Sequence, residues 1–202
     1  MRKNGTTDLI HGSIAKSIFW FSIPLLIGNL FQQLYNTFDS YVVGNYVGKE
    51  ALAAVGASSP IINMLIGFFM GLATGAGVII AQYYGAGDYK RLKKAVHSSA
   101  ALTLVMSVLL TILGVLGTDP MLHAVGTPID VFPESSTYLS IYFIGICFAL
   151  IYNMGSGILR AIGDSKRPLY FLVIACIINI ILDFLFVKYL KWGVAGAGYA
   201  TL

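Results

Sequence analysis

Five long apolar runs, separated by short polar stretches, organise the sequence. They cover about residues 17–47, 51–82, 95–117, 136–160 and 168–190. A helix rises 1.5 Å per residue, so about 20 apolar residues cross a hydrocarbon core of roughly 30 Å. Each run is long enough to be a membrane-spanning helix. The first two exceed one core, which predicts tilt or ends that extend beyond the bilayer. A sixth run, 193–202, covers only about 15 Å as helix and is an incomplete span. The expected fold class is an all-α membrane protein: a bundle of six transmembrane helices with the sixth truncated, in a chain expected to be a fragment.

Helix breakers fall inside the runs as well as between them. Pro24 and Pro60 each remove a backbone donor, which predicts a kink in the first and second helices. Such a bend serves either packing or a hinge. Gly67, Gly71 and Gly75 recur every fourth residue on the second helix, a stripe that reads as a helix-packing surface.

Composition agrees with the pattern. The 202 residues are 57% hydrophobic and 11% charged. Soluble domains carry about a quarter charged residues, so the deficit marks an integral membrane protein. The 22 glycines fit membrane helices, where Gly is frequent. The net charge of +4 does not indicate nucleic acid, because the basic residues lie between the apolar runs. No cleavable signal is expected, since the first sixteen residues are polar and the run that follows is too long for a signal core. Cys147 and Cys176 lie inside apolar runs and read as small buried hydrophobes.

Charge also orients the bundle. One side collects Arg2, Lys3, Lys16, Lys90, Arg91, Lys93, Lys94, Arg160, Lys166 and Arg167, ten of the 13 basic residues. The other side has Lys49, Lys188 and Lys191, and the loop between the third and fourth runs offers only Asp119, Asp130 and Glu134. The positive-inside rule places the N-terminus in the cytoplasm. Arg160, Asp164, Lys166 and Arg167 read as a solvated cytoplasmic turn. His11, His97 and His123 show no metal-ligand spacing and read as surface histidines. The GVAGAG stretch near the C-terminus has no strand before it and does not make a dinucleotide site. No nucleophile–base arrangement points to an enzyme.

Two acidic residues remain deep inside runs. Asp39 is the only charge between Ser17 and Gly48, and Asp183 lies in the fifth run. A charge at the centre of a membrane helix costs about 3 kcal/mol and usually faces a bundle interior or a water-filled cavity. The first and fifth helices run in the same direction. Both acids lie roughly 12–15 Å below the outer charged fringe at Lys49 and Lys191. Thr201 returns to about the same level, and Asn179 precedes Asp183 by four residues on one helix face. Asp39 and Asp183 are therefore expected to line one cavity in the outer half. Oxygen-rich sets of this kind suit a hard cation such as Na⁺, or a proton shared between carboxylates.

Four stretches carry a resemblance: IPLLIGNLFQQLYNTFDSYVVG, GLATGAGVIIAQYYGAGD, GSGILRAIGDSKRP and NIILDFLFV. In this order, over nearly the whole chain, the sequence resembles the N-terminal half of the multidrug and toxic compound extrusion (MATE) family. The resemblance implies one six-helix lobe (residues 1–202) of a twelve-helix transporter with alternating access, whose C-terminal lobe is missing from this chain. It implies a cation-coupled antiporter that exports cationic or amphipathic drugs against H⁺ or Na⁺ influx. No cofactor is implied beyond that coupling ion. The implied cation or proton site comprises Asp39, Asp183, Asn179, Thr201 and Asn153, with Pro24 as the first-helix proline. Asn153 lies deeper in its helix than the others. The implied location is the plasma membrane of a prokaryote, with the N-terminus cytoplasmic. An alternative from the same broad fold group is a lipid-linked oligosaccharide flippase, which should line its cavity with Arg and Lys. A channel or a structural membrane protein is a third class.

Overall fold

The computed structural model describes residues 14–202. Arg2, Lys3 and His11 lie outside the described residues, so the side assigned to the first two and the surface placement of the third are not addressed by it. The described residues form α1 (Ile14–Tyr46), α2 (Lys49–Gly85), α3 (Tyr89–Val125), α4 (Phe132–Ala161), α5 (Lys166–Asp183) and α6 (Gly193–Thr201). Beyond Asp183, α5 continues as a π-helical turn over Phe184–Tyr189. Five helices, counting α5 with its π turn, are long and apolar enough to cross a membrane.

Helix bounds follow the apolar runs, with α3 the exception. It begins at Tyr89 and ends at Val125, well outside the apolar window of 95–117. The apolar pattern marks where a helix meets hydrocarbon, whereas caps decide where it stops. Asp88 Oδ1 accepts the Arg91 N–H at 3.0 Å, and Asp88 also pairs with the Arg91 guanidinium at 3.4 Å. At the other end Gly126 adopts φ 77°, a left-handed conformation that favours glycine and ends the helix. Helices α1 and α2 run through Pro24 and Pro60 without a break.

The central helix is α4, which packs on α2, α3 and α6, while α1 packs on α5. Backbones approach where a side chain is missing. A Cβ on Gly114 of α3 would strike the buried Phe143 ring of α4, and one on Gly157 of α4 would lie 3.3 Å from the Ala73 carbonyl oxygen of α2. The stripe of Gly67, Gly71 and Gly75 behaves differently. An added Cβ at any of the three would meet nothing within 4 Å. Among the described residues that stripe is not a helix-packing surface. Tight seams fall instead at glycines such as Gly114 and Gly157, and at Gly196 and Gly198 of α6, where a Cβ would lie 3.1 Å from the Phe186 backbone and 3.0 Å from the Ile141 side chain.

The turn after α4 also departs from expectation. Asp164 and Ser165 are each 2% exposed, so this is a buried cap and not a solvated turn. Asp164 Oδ1 accepts the backbone N–H groups of Lys166 (3.2 Å) and Arg167 (3.1 Å), and Oδ2 lies 3.1 Å from Arg167 Nε. The carboxylate thereby satisfies free donors at the start of α5 and meets the positive end of the helix dipole.

Candidate functional site

Asp39 on α1 is 6% exposed, and Asp183, the last residue of regular α5, is 0% exposed. Asn179 lies one turn before Asp183 and is 4% exposed. Asp39 and Asp183 interact electrostatically with each other, and each also acts on the Tyr35 hydroxyl. The structure thus brings the two acids into one neighbourhood, as the matched depth predicts. Thr201 on α6 is half-buried and joins them through tyrosines. Its hydroxyl donates to the Ala197 carbonyl oxygen at 3.0 Å, and Tyr35 and Tyr138 lie near it. Tyr142, one turn along α4 from Tyr138, also interacts with Tyr35.

Sequence reasoning missed these three tyrosines. Tyr35 precedes Asp39 by four residues, and Tyr138 precedes Tyr142 by four, so each pair shares a helix face. That spacing was visible, but tyrosine is common in membrane helices and carried no charge to draw notice.

Hydrogen bonding around the acids is incomplete. Asp39 Oδ1, both Asp183 oxygens and both polar atoms of the Asn179 amide are buried without a hydrogen-bond partner among the described residues. Leaving one buried polar group unpaired costs about 1–3 kcal/mol, and more when it is charged. Two buried carboxylates close to each other favour a shared proton or a counter-charge. Asp39, Asp183, Asn179 and Thr201 supply oxygens of the kind that a hard cation or a proton takes as partners. Among the described residues no three His, Cys, Asp or Glu side chains gather as a site for a softer metal.

The remaining residues of the expected site lie elsewhere. Asn153 sits on α4 roughly 16 Å further along the helix axis than Tyr142. Its Nδ2 donates to the Ala149 carbonyl oxygen at 2.8 Å, and its side chain lines a separate cavity with Arg160. Asn153 is therefore not gathered with the acids; the fifteen or more residues from its helix start already indicated this. Pro24 is buried on α1, roughly 22 Å along the helix from Asp39.

The MatE family model matches residues 24–185, which include both acids and Asn179. The chain belongs to this family. It is 35% identical over 195 residues to the probable multidrug resistance protein YpnP of Bacillus subtilis, covering 96% of this chain and 44% of that protein. It is also 25% identical to an FAD transporter of Shewanella oneidensis, covering 96% of this chain and 44% of the relative. Among solved structures it superposes with a TM-score of 0.90, at 34% identity, on a MOP superfamily transporter from Pyrococcus furiosus. Reverse polarity of the binding pocket suggests a different function for that transporter. The match covers 100% of this chain and 44% of the archaeal one. The chain therefore spans less than half the length of these MatE relatives, and it corresponds to one lobe. MatE proteins are membrane transporters and not enzymes, in keeping with the absence of a catalytic pattern in the sequence.

Proposed function

We propose that this MatE lobe carries the cation site of an antiporter that exports cationic or amphipathic compounds by alternating access, driven by H⁺ or Na⁺. The observation that carries the reading is the group of five unpartnered buried polar atoms on Asp39, Asn179 and Asp183. A proton or Na⁺ arriving there removes net negative charge from a buried space. The arrangement of helices that best encloses the neutralised pair then gains population, because a ligand shifts an equilibrium by its differential affinity for the two states. A bound organic cation that relied on the same negative charge is released as the charge is cancelled.

The coupling ion, the transported compounds and the second lobe belong to this proposal, as do a prokaryotic plasma membrane and a cytoplasmic N-terminus. The buried charged side chains among the described residues are Asp39, Asp164 and Asp183. That acidic set favours cation export over the oligosaccharide flippase, which calls for buried Arg and Lys.

Asp39→Asn in the full-length protein tests it. Dye accumulation in cells should rise to the level of cells lacking the transporter, with membrane insertion intact by fluorescence size-exclusion. Imposing Na⁺ and H⁺ gradients separately on proteoliposomes then identifies the coupling ion. Wild-type efflux by the Asn variant at matched protein levels would refute the role of Asp39.

A further inference from the structure

The two sides of α3 carry opposite chemistry, in the reverse of a soluble helix. Ser99, Thr103, Ser107, Gly114 and Thr118 are buried. The Thr111 hydroxyl donates to the Phe143 carbonyl oxygen of α4 at 3.1 Å, and the Ser140 hydroxyl of α4 donates to Thr118 Oγ1 at 3.4 Å. The polar and small residues of α3 thus line its seam with α4. On the other side Leu104, Val105, Val108, Ile112, Leu113 and Leu116 are each more than half exposed. From Leu102 to Leu116 every exposed residue is Leu, Ile or Val.

Composition, rather than exposure, decides what this outward face meets. Membrane helices meet other helices through small residues and hydroxyls, and a transport path needs polar groups. The outward face of α3 offers neither, whereas α2 turns Gly67, Gly71 and Gly75 to open space. Among the described residues α3 packs only on α2 and α4. A surface of branched aliphatic side chains, with nothing small or polar between them, suits acyl chains.

The same face ends in positive charge. Lys90, Lys94, His97, Ala101, Val108 and Ile112 recur at spacings of three, four or seven residues and form one stripe. Lys90, Lys93, Lys94 and His97 line a hollow of about 290 Å³ that no acidic residue borders. The nearby Asp88 is taken up by Arg91. The apolar window 95–117 is roughly 34 Å long as helix, about one hydrocarbon core. The three lysines stand directly beyond its end, at the level of lipid headgroups. Lysines that served orientation alone could lie on any side of the helix, but these continue the aliphatic stripe.

We propose that the basic end of α3 gathers anionic phospholipid from the leaflet on the α2–α3 loop side. The ammonium groups of Lys90, Lys93 and Lys94 attract the negative headgroup, and acyl chains lie along Val105, Val108 and Ile112. The site uses neither Asp39 nor Asp183, and its test does not measure efflux.

Ala101→Trp reports on this position in the full-length protein, because Ala101 is exposed on the stripe one turn from His97. The variant is reconstituted in phosphatidylcholine, and either phosphatidylglycerol or phosphatidylcholine with brominated acyl chains is added in steps. Quenching of the added indole is read as the difference from the parent protein. Brominated phosphatidylglycerol should bind there about fivefold more strongly than brominated phosphatidylcholine, the size of one basic residue acting on an anionic headgroup. Lys90→Gln, Lys93→Gln and Lys94→Gln combined should bring the ratio close to one. Loss of positive charge can disturb insertion, so salt provides a second measurement. At 1 M NaCl the Debye length falls to about 3 Å, and the preference should vanish with the lysines in place. Quenching by neither lipid would show that protein covers this face, and would overturn the proposal. Equal quenching by the two lipids with the lysines in place would do the same, as would a preference that survives both the Gln variant and the salt.

Discussion

Replacing Asp183 with leucine separates what this residue does for stability from what it does for ion binding. Asp183 is fully buried, and neither carboxylate oxygen has a hydrogen-bond partner among the described residues. Leucine has the same branched outline, with methyl groups bulkier than the oxygens they replace, and brings no polar atom. Leaving a buried polar group unpaired costs about 1–3 kcal/mol, and removing that group with its side chain recovers a gain of this order. The gain here is partial, because Asp39 Oδ1 and the Asn179 amide stay unpartnered. In the full-length protein, over twice as long as this chain, about 1 kcal/mol moves Tm by roughly 1–2 °C. Asp183→Leu should therefore melt a few degrees above wild type when the coupling ion is withheld. The order should reverse with the ion present. A site held at about 100 times its Kd adds about 2.7 kcal/mol to the protein that binds and nothing to the one that does not. The assay is thermal unfolding of the full-length protein in detergent, followed by tryptophan fluorescence. It is run first in N-methylglucamine buffer, then across a Na⁺ series at fixed pH, then across a pH series without Na⁺. A variant that melts below wild type in ion-free buffer, and still responds to the ion as wild type does, would refute the reasoning.

Two further predictions concern the scaffold. Asp164→Ala removes the acceptor for two backbone N–H groups at the start of α5 and should lower stability by about 1–2 kcal/mol, read as a drop in Tm of the solubilised protein. Gly114→Ala places a methyl group against the Phe143 ring and should cost about 1–3 kcal/mol in the same assay, whereas Gly71→Ala, facing open space, should stay within about 0.5 kcal/mol of wild type. Equal effects at the two glycines would refute the assignment of the packing seam.

The spans were legible because a membrane helix must be apolar over its whole core length. Asp39 and Asp183 were legible for the complementary reason: a lone charge in such a run needs a partner or a cavity. Matching their depths from the flanking lysines was enough to put them together. The ends of α3 were not legible from apolarity, since its helix continues through Lys90–Lys94 and past Pro120. Asp164 was misread because a cluster of charges looks solvated, although a carboxylate aimed at backbone donors can be fully enclosed. The tyrosines and the true surroundings of Asn153 depend on which helices touch. No single-chain pattern encodes that directly.

The π-helical turn at Phe184–Tyr189 bears on how relatives are compared. A turn closed by i→i+5 bonds holds one residue more than an α turn, so it behaves as a retained insertion. Losing one residue from this stretch would let α5 close as regular helix, and the turn would come round after one residue fewer, so the chain beyond it would keep nearly the same angular phase. Asp183 precedes the turn and would stay where it is. The face that carries Val187, which is 2% exposed and packs with Val42, Val194 and Ala197, would be kept. A one-residue gap here is therefore a local closing of the backbone and not a change of direction. A homologue that lacks the extra residue can still present α6, with Thr201, toward the acids from the same side.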